Sequence, residues 1–385
     1  MPNTEELIEE PTIAEAPVEA AATDAAEAAA AAAPGVVEPG APHKVITFAV
    51  PCYNSAKDMD HCITSILEGA NYAEDIEIVI VDDGSNKDET PEKADEWAAR
   101  HPGLIRAVHQ ENGGHGIAVL SGLREARGTY YKVVDSDDWL DAAALSAMLT
   151  MLRGFEERGT RVDLFISNYV YEKVYEGTRN AVSYKGVLPT KRIFTWGEIG
   201  RFHLSQNLLM HALCYRTDVL RAADVPLPAH TFYVDNIYAY TPLPHCKTVF
   251  YADIDLYRYF IGREGQSVNE STMVKRLDQQ FRITYIMMRA YHLYEDVEEE
   301  KLRAYMLNYF TMMLTICTVF SKLSDDPEMP GKAVKLWDDL RDFDERMYKK
   351  CRYSFLGLGT HLPTKAGDAI TVQAYRIAQK IFKFN

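Results

Sequence analysis

Short apolar runs alternate with amphipathic stretches along the first half of this chain. Runs typical of buried parallel strands begin at Val45, Ile76, Leu104 and Tyr130. Between them, apolar side chains recur every three or four residues, which predicts helices. Strands that alternate with helices indicate an α/β fold with a mostly parallel, Rossmann-like sheet flanked by helices. Ligands bind such sheets beyond the carboxyl ends of the strands, so functional residues are expected there.

The second half of the chain follows a different pattern. Further strands are predicted at 162–167, 248–251 and 256–260, and helical stripes of apolar residues begin at residue 273. The apolar window 305–320 is shorter than a membrane span and is predicted to be a core helix. Domain boundaries follow from this change: a sheet domain over 44–270 and a helical C-terminal region over 271–385.

The two ends of the chain differ sharply in charge. Residues 1–43 are rich in Ala, Glu and Pro, carry nine acidic residues and no lysine or arginine, and are predicted to be a disordered acidic tail. The segment 368–385 instead mixes Ile and Phe with Arg376, Lys380 and Lys383. It is expected either to lie as a helix on an anionic membrane or to dock on the body of the protein itself.

Composition narrows the class of protein further. The net charge is −15, and the chain outside the tail is also acidic without a basic stripe, which argues against nucleic-acid binding. The six cysteines are scattered and form no C-x-x-C pair, as expected for reduced thiols in a cytoplasmic protein. The N-terminus lacks the basic and apolar segments of a signal peptide.

Three carboxylates follow the strand that begins at Tyr130. Asp135, Asp137 and Asp138 fall within four residues, with Ser136 between them. Carboxylates crowded at a strand end repel one another, and a hard divalent cation (Mn²⁺ or Mg²⁺) that also holds a diphosphate would stabilise them. The alternative is a solvated strand end at which Asp138 or Asp141 caps the next helix.

Five short motifs occur in order at strand ends or helix starts. They are VPCYN at 50–54, VDDGS at 81–85, NGG at 112–114, ARG at 126–128 and VDSDD at 134–138. In this order they resemble family-2 glycosyltransferases over about residues 44–270. The resemblance implies a GT-A fold and an inverting transfer of one sugar from a nucleotide-diphosphate donor, with UDP as the expected nucleotide. The acceptor would be a glycan or a lipid-linked molecule, in cell-surface polysaccharide synthesis at the inner face of the plasma membrane.

The donor site is predicted from the resemblance and from residue chemistry. Tyr53 can stack on a base, and Asp83 can accept from a base N–H, as its counterpart does in the family. Glycines at 113, 114 and 116 let the backbone approach an anion at a helix start. The predicted donor-binding residues are Pro51, Tyr53, Asn54, Asp82, Asp83, Gly113, Arg127, Asp135, Ser136 and Arg263. The alternatives are an Asp-capped turn at 82–85, a surface cation at Arg127 and a structural salt bridge at Arg263.

The resemblance also assigns a metal and a base. In the family the last Asp of D-x-D binds the metal, which here is Asp137, while Asp135 holds the ribose or reaches the metal through water. The family's base lies in a Glu-Asp pair about 100 residues later, and here Val234 replaces the Glu, which leaves Asp235. Asp253 and Asp255 are the alternatives for the base, and a helix cap is the alternative role for Asp235. His211 either faces the acceptor or is a core residue.

Two other classes of protein remain open. A nucleotidyltransferase of similar fold would carry a Gly-rich loop with a basic residue after the first strand, where this chain has Pro51-Cys52-Tyr53-Asn54. A non-catalytic module that binds a glycan or a nucleotide is the third class, because Val234 stands in place of the family's Glu.

Overall fold

The computed structural model describes residues 43–203, 206–262 and 269–362, together with 366–367, 369, 371–373 and 375–376. The predicted acidic tail (except His43), Arg263 and most of the segment 368–385 therefore lie outside the described residues.

Ten strands of the described chain form one sheet, in the spatial order β3-β2-β1-β4-β9-β6-β10-β5, with β7 beside β6 and β8 beside β10. The strands are β1 (Lys44–Cys52), β2 (Ile76–Asp82), β3 (Ile105–His109), β4 (Gly128–Val133), β5 (Trp139–Leu140), β6 (Leu164–Lys173), β7 (Thr178–Val182), β8 (Ile193–Phe194), β9 (Leu213–Arg216) and β10 (Val249–Phe260).

The sheet has a parallel half and a mixed half. Strands β1 to β4 are parallel, and every residue of β1 and β2 is buried because helices cover both faces. Strand β9 then enters antiparallel between β4 and β6, while β6 and β10 are parallel to each other. The predicted α/β class is confirmed. The two strands predicted at 248–251 and 256–260 are one continuous strand, and β9 was not predicted.

Helices flank the sheet and make up the end of the chain. Beside the sheet lie α1 (Met59–Gly69), α2 (Thr90–Arg100), α3 (His115–Glu125), α4 (Ala142–Glu157), α5 (Thr217–Ala222) and α6 (Asp235–Tyr240). After β10 follow α7 (Glu270–Lys275), α8 (Leu277–Ala290), α9 (Leu293–Asp296), α10 (Glu300–Leu323), α11 (Met329–Phe343), α12 (Glu345–Arg352) and α13 (Phe355–Thr360). No strand occurs among the described residues from 270 onward, but the exact boundary at 270 stays a prediction.

Helix α10 is the central helix of the C-terminal region. Its length and apolar composition would allow it to cross a membrane, yet 67% of its apolar window is buried inside the protein. Met306, Phe310, Met313 and Cys317 are all buried in the core, at the spacing that the sequence indicated. A core helix has this environment.

Candidate active site

The carboxyl ends of three parallel strands lie at one edge of the sheet. Cys52 at the end of β1 pairs with Asp82 at the end of β2, and Ala49 pairs with Val133 at the end of β4. The residues after these strands, including Tyr53, Asp83 and Asp135, therefore follow the same edge, which we call the rim. This is where open α/β sheets bind ligands.

Asp83 holds the loop that opens helix α3. Its carboxylate accepts hydrogen bonds from the backbone N–H groups of Gly113 (2.9 Å) and Gly114 (2.7 Å) and from the side chain of Gln110 (2.6 Å). Gly114 has a φ of +84°, and a Cβ there would lie 2.9 Å from the backbone nitrogen of His230. The loop thus touches the segment that carries Asp235.

Asn54 and Asp82 organise the neighbouring turns. The Asn54 side-chain oxygen accepts from the N–H groups of Asn86 (3.1 Å) and Lys87 (3.0 Å). Asp82 accepts from the N–H of Ser85, and its other oxygen lies 3.0 Å from Nδ1 of His109. Both side chains therefore have structural partners at the rim. For Asp82, the bond from Ser85 is the one expected if it caps a turn.

Tyr53, Pro51 and Ser136 differ in their access to solvent. Tyr53 is 48% exposed at the rim, so its ring is available for stacking. Pro51 is buried within β1 opposite Val81, and Ser136 is buried against the Cys52 thiol. Of these three predicted donor residues, only Tyr53 presents a large exposed surface.

Asp135 and Asp138 both hydrogen-bond to a tyrosine on β10. Tyr257 on β10 donates to Asp138 at 2.7 Å and accepts from the backbone N–H of Asp135 at 3.1 Å. Asp138 is 1% exposed, and burial together with the charge of Asp135 raises its pKa well above the usual range. Asp141, not Asp138, caps helix α4 by accepting from the N–H of Ala144.

His115, the first residue of α3, joins this cluster. Its Nε2 lies 2.8 Å from Oδ1 of Asp135. Burial alone would raise the pKa of Asp135, but the charge and hydrogen bond of His115 outweigh it and hold that pKa below its usual range. Burial lowers the pKa of His115, and Asp135 more than reverses this, so that pKa is raised. Both shifts favour the charged form of each side chain.

One imidazole and two carboxylates could share a metal ion. Ligand atoms of Asp135, Asp138 and His211 all lie within 4.8 Å of one another. His211 is 6% exposed, and its Nδ1 has no hydrogen-bond partner among the described residues. Burial lowers its pKa to about 4, so the ring is neutral, which is the form that binds metals. These residues fit a divalent cation, although Asp137, the predicted ligand, is not one of the three.

A buried lysine lies beneath the carboxylates. Lys132 on β4 is fully buried and donates to the carbonyl oxygens of His211 (2.7 Å) and Leu213 (3.3 Å). Burial lowers its pKa to about 8. Lys132 therefore ties β4 to the segment that carries His211.

Substituting Lys132 with methionine should change how the free energy of unfolding depends on pH. The folded-state pKa of about 8 lies below the usual 10.5, so above pH 8 the unfolded chain binds more protons than the folded chain. Stability of the wild type relative to Lys132→Met should rise by about 1.4 kcal/mol per pH unit between about pH 8 and 10. Urea unfolding of both proteins in EDTA-containing buffer measures this, and a difference that does not vary with pH would contradict it.

Asp235 lies at the first turn of α6, half-buried and close to the same cluster. Burial raises its pKa to about 6, with the charge of Asp135 acting in the same direction and His115 opposing it. The N-cap of α6 is Val234, and Asp235 does not serve as a cap. Asp235 is therefore the first residue of α6 rather than its N-cap, and its Oδ1 accepts from the side chain of Asn236 at 3.3 Å.

Contacts from the C-terminal region hold the segment before α6 in place. Tyr233 has a φ of +66°, which is rare for a residue with a side chain and occurs often at functional sites. Gln279 of α8 accepts from the N–H of Phe232 at 2.7 Å, and Tyr309 of α10 donates to Asn236 at 3.0 Å. Asp235 thus lies between two anchored neighbours.

The other predicted site residues lie elsewhere. The backbone N–H of Arg127 donates to Glu77 near the start of β2, five residues before Asp82, and therefore about 16 Å from the rim along the strand. This position at the opposite edge of the sheet argues against a nucleotide contact for Arg127. Asp253 and Asp255 are exposed on β10, and each accepts from the side chain of Asn168 on β6.

Sequence reasoning missed His115, Lys132 and Tyr257. His115 carried a usable signal, because it directly follows the glycine pair at the start of a helix. Lys132 was visible as a charge inside an otherwise apolar strand. Tyr257 gave no local signal, because its hydroxyl reaches Asp138 across 119 positions of the sequence.

Comparisons with known proteins agree with this fold. Residues 47–209 match the family described as Glycosyl transferase family 2. The chain is 26% identical over 244 residues to the putative glycosyltransferase EpsH of Bacillus subtilis, covering 59% of this chain and 67% of EpsH. It is 39% identical over 99 residues to the uncharacterized glycosyltransferase EpsJ of the same organism, covering 26% and 28%. The chain thus spans about a quarter to two thirds of these relatives.

The fold matches a solved structure over most of its length. TarS residues 1–349 from S. aureus, in complex with UDP-GlcNAc, superimpose with a TM-score of 0.59 at 17% identity, covering 87% of this chain and 92% of that one. The mixed sheet and its acidic rim define a GT-A fold. Over its matched segment, the chain is similar to glycosyltransferase family 2.

Proposed function

We propose that this protein is an inverting glycosyltransferase that moves a single sugar from a nucleotide-diphosphate donor to an acceptor hydroxyl. The observation that carries the proposal is the meeting of Asp235 with the Asp135–His115 pair at the rim, where parallel-sheet folds bind their ligands. Similarity to the family gives the reaction class, and the rim supplies a candidate for each chemical role.

The donor would lie along the loops after β1 and β2. The exposed ring of Tyr53 offers a stacking surface for the base, and Asp83, with its two backbone donors, fixes the loop at the start of α3 that faces the diphosphate. We take UDP as the nucleotide because TarS, which shares the fold, was solved with UDP-GlcNAc and with UDP. Arg127 is left out of this site.

A divalent cation, Mn²⁺ or Mg²⁺, would be held by Asp135 with either Asp137 or the pair of Asp138 and His211. When bound, it would neutralise charge on the departing nucleoside diphosphate. His115 keeps the Asp135 carboxylate ionised and oriented, and Tyr257 fixes the neighbouring Asp138. Each of these side chains has a role that does not depend on the identity of the metal.

Asp235 would act as the base. Its carboxylate accepts the acceptor hydroxyl's proton while that oxygen attacks the anomeric carbon opposite the leaving group. The new C–O bond forms as the bond to the diphosphate breaks, which inverts the anomeric centre. A carboxylate with a pKa of about 6 is both ionised at neutral pH and basic enough for this step.

The acceptor is proposed to be a glycan or a lipid-linked molecule in cell-surface polysaccharide synthesis, by analogy with the family. A cytoplasmic site of action suits the six cysteines, all of which are buried and unpaired. The nucleotidyltransferase alternative is less favoured, because Tyr53 and Asn54 stand after β1 in place of a glycine-rich basic loop.

Release of UDP from UDP-sugars tests the proposed function. The purified chain with Mn²⁺ should release UDP slowly by hydrolysis and faster when an acceptor glycan is present, and EDTA should stop both. Binding of UDP without turnover of any UDP-sugar, across a panel of donors and acceptors, would instead identify the non-catalytic binding module.

A further inference from the structure

An exposed apolar surface lies on α13 and on the turn that joins it to α12. Tyr353, Phe355 and Leu358 are 67%, 85% and 51% exposed. Phe355 and Leu358 are three residues apart on α13, so they share one face of that helix. Single exposed apolar residues are ordinary, but three within six positions form a patch of the kind that marks an interaction surface.

Basic side chains border the patch. Lys349 and Lys350 are exposed on α12. The guanidinium carbon of Arg352 lies 5.7 Å from the ring centroid of Tyr353, and the backbone N–H of Tyr353 donates to the carbonyl oxygen of Lys349 at 3.1 Å. These cations stand out on a chain whose net charge is −15.

Few acids offset these cations. The stretch 345–362 contains a single acidic residue, Glu345, which pairs with Lys349 at 2.8 Å. A ligand for this surface therefore needs negative charge beside apolar groups.

We propose that this surface docks onto an anionic phospholipid bilayer. It consists of Lys349, Lys350, Arg352, Tyr353, Phe355 and Leu358. An anionic bilayer offers headgroups that attract lysine and arginine, and an apolar layer into which exposed aromatic and aliphatic side chains can insert. The proposal goes beyond the donor chemistry at the rim and does not depend on it.

Co-sedimentation of the full chain with vesicles, in the absence of nucleotide, tests the proposal. Because no sugar transfer is measured, a negative result would bear on membrane binding alone. The chain should bind vesicles of phosphatidylcholine mixed with phosphatidylglycerol, bind pure phosphatidylcholine weakly, and release as salt is raised. Phe355→Ser should lower partitioning about tenfold. Lys349→Gln and Lys350→Gln should each lower it about fivefold.

Matched variants elsewhere on the helical region serve as controls. Val334→Ser removes an apolar side chain that is 63% exposed on α11, and Lys301→Gln removes an exposed charge on α10; both should bind as the wild type does. No binding to anionic vesicles, equal binding to neutral ones, or equal losses in the controls would overturn the proposal. Self-association that Phe355→Ser abolishes, without vesicle binding, would assign the surface to a second copy of the chain.

Discussion

Asp235→Asn is expected to lower sugar transfer by about 10²–10⁴-fold, the range that general base catalysis supplies. Asparagine has nearly the same shape as aspartate, so the contacts that hold Phe232 and Asn236 remain, but it cannot accept a proton from the acceptor. Binding of UDP should be unchanged, because the proposed base does not contact the nucleotide. Turnover with a UDP-sugar and calorimetric titration with UDP measure the two effects separately.

Asp253→Asn is the matched control for this variant. Asp253 is one of the two alternative bases, beside Asp255, and its carboxylate accepts from Asn168, Ser183 and Tyr251. Transfer by Asp253→Asn should stay within a few-fold of the wild type once the variant is shown to be folded. Full transfer by Asp235→Asn together with its loss in Asp253→Asn would reassign the base.

Asp135→Asn should remove both metal binding and transfer. Asp135 belongs to both candidate ligand sets, the D-x-D pair with Asp137 and the cluster with Asp138 and His211, so it tests the cation whichever set is correct. The variant also leaves His115 without its anionic partner. We expect Mn²⁺ affinity, followed by electron paramagnetic resonance, to fall by at least tenfold, and transfer to fall at least as far.

Two further variants separate the ligand sets. If Asp137 completes the site, Asp137→Asn weakens Mn²⁺ binding and His211→Gln does not; if His211 completes it, the order is reversed. A wild-type enzyme that transfers sugar at full rate in EDTA and binds no Mn²⁺ would contradict both sets. In that case the only role left for Asp135 would be its ion pair with His115.

The strand ends at the rim were predictable from the sequence because each apolar run stops at a polar or turn-forming residue. Asp83 and Asp135 were expected at the edge where the structure has them. The sequence could not show which aspartate lies beside Asp135 in the buried cluster. Tyr257 holds Asp138 there through a contact between strands that are distant in the sequence. By local spacing alone, Asp137 and Asp138 are nearly equal candidates for a metal ligand. Only the folded sheet shows that Asp138 is buried and Asp137 is partly exposed.

Arg127 shows how a motif can mislead. The resemblance gave it a role, but the motif spans the turn into β4, whose first residues lie at the opposite edge of the sheet from its last. Strand β9 was missed for a different reason. It has four residues and runs directly into a helix, so it lacks the length and alternation by which a strand is detected.

The contacts of Gln279 and Tyr309 with the neighbours of Asp235 have a consequence for biosynthesis. Strands β1 to β4 and their aspartates leave the ribosome before these contacts can form. The carboxylate of Asp235 is fixed only after α8 and α10 have been made, more than a hundred residues after β4. A nascent chain would therefore contain every residue of the proposed donor site on β1 to β4 before the proposed base can be fixed.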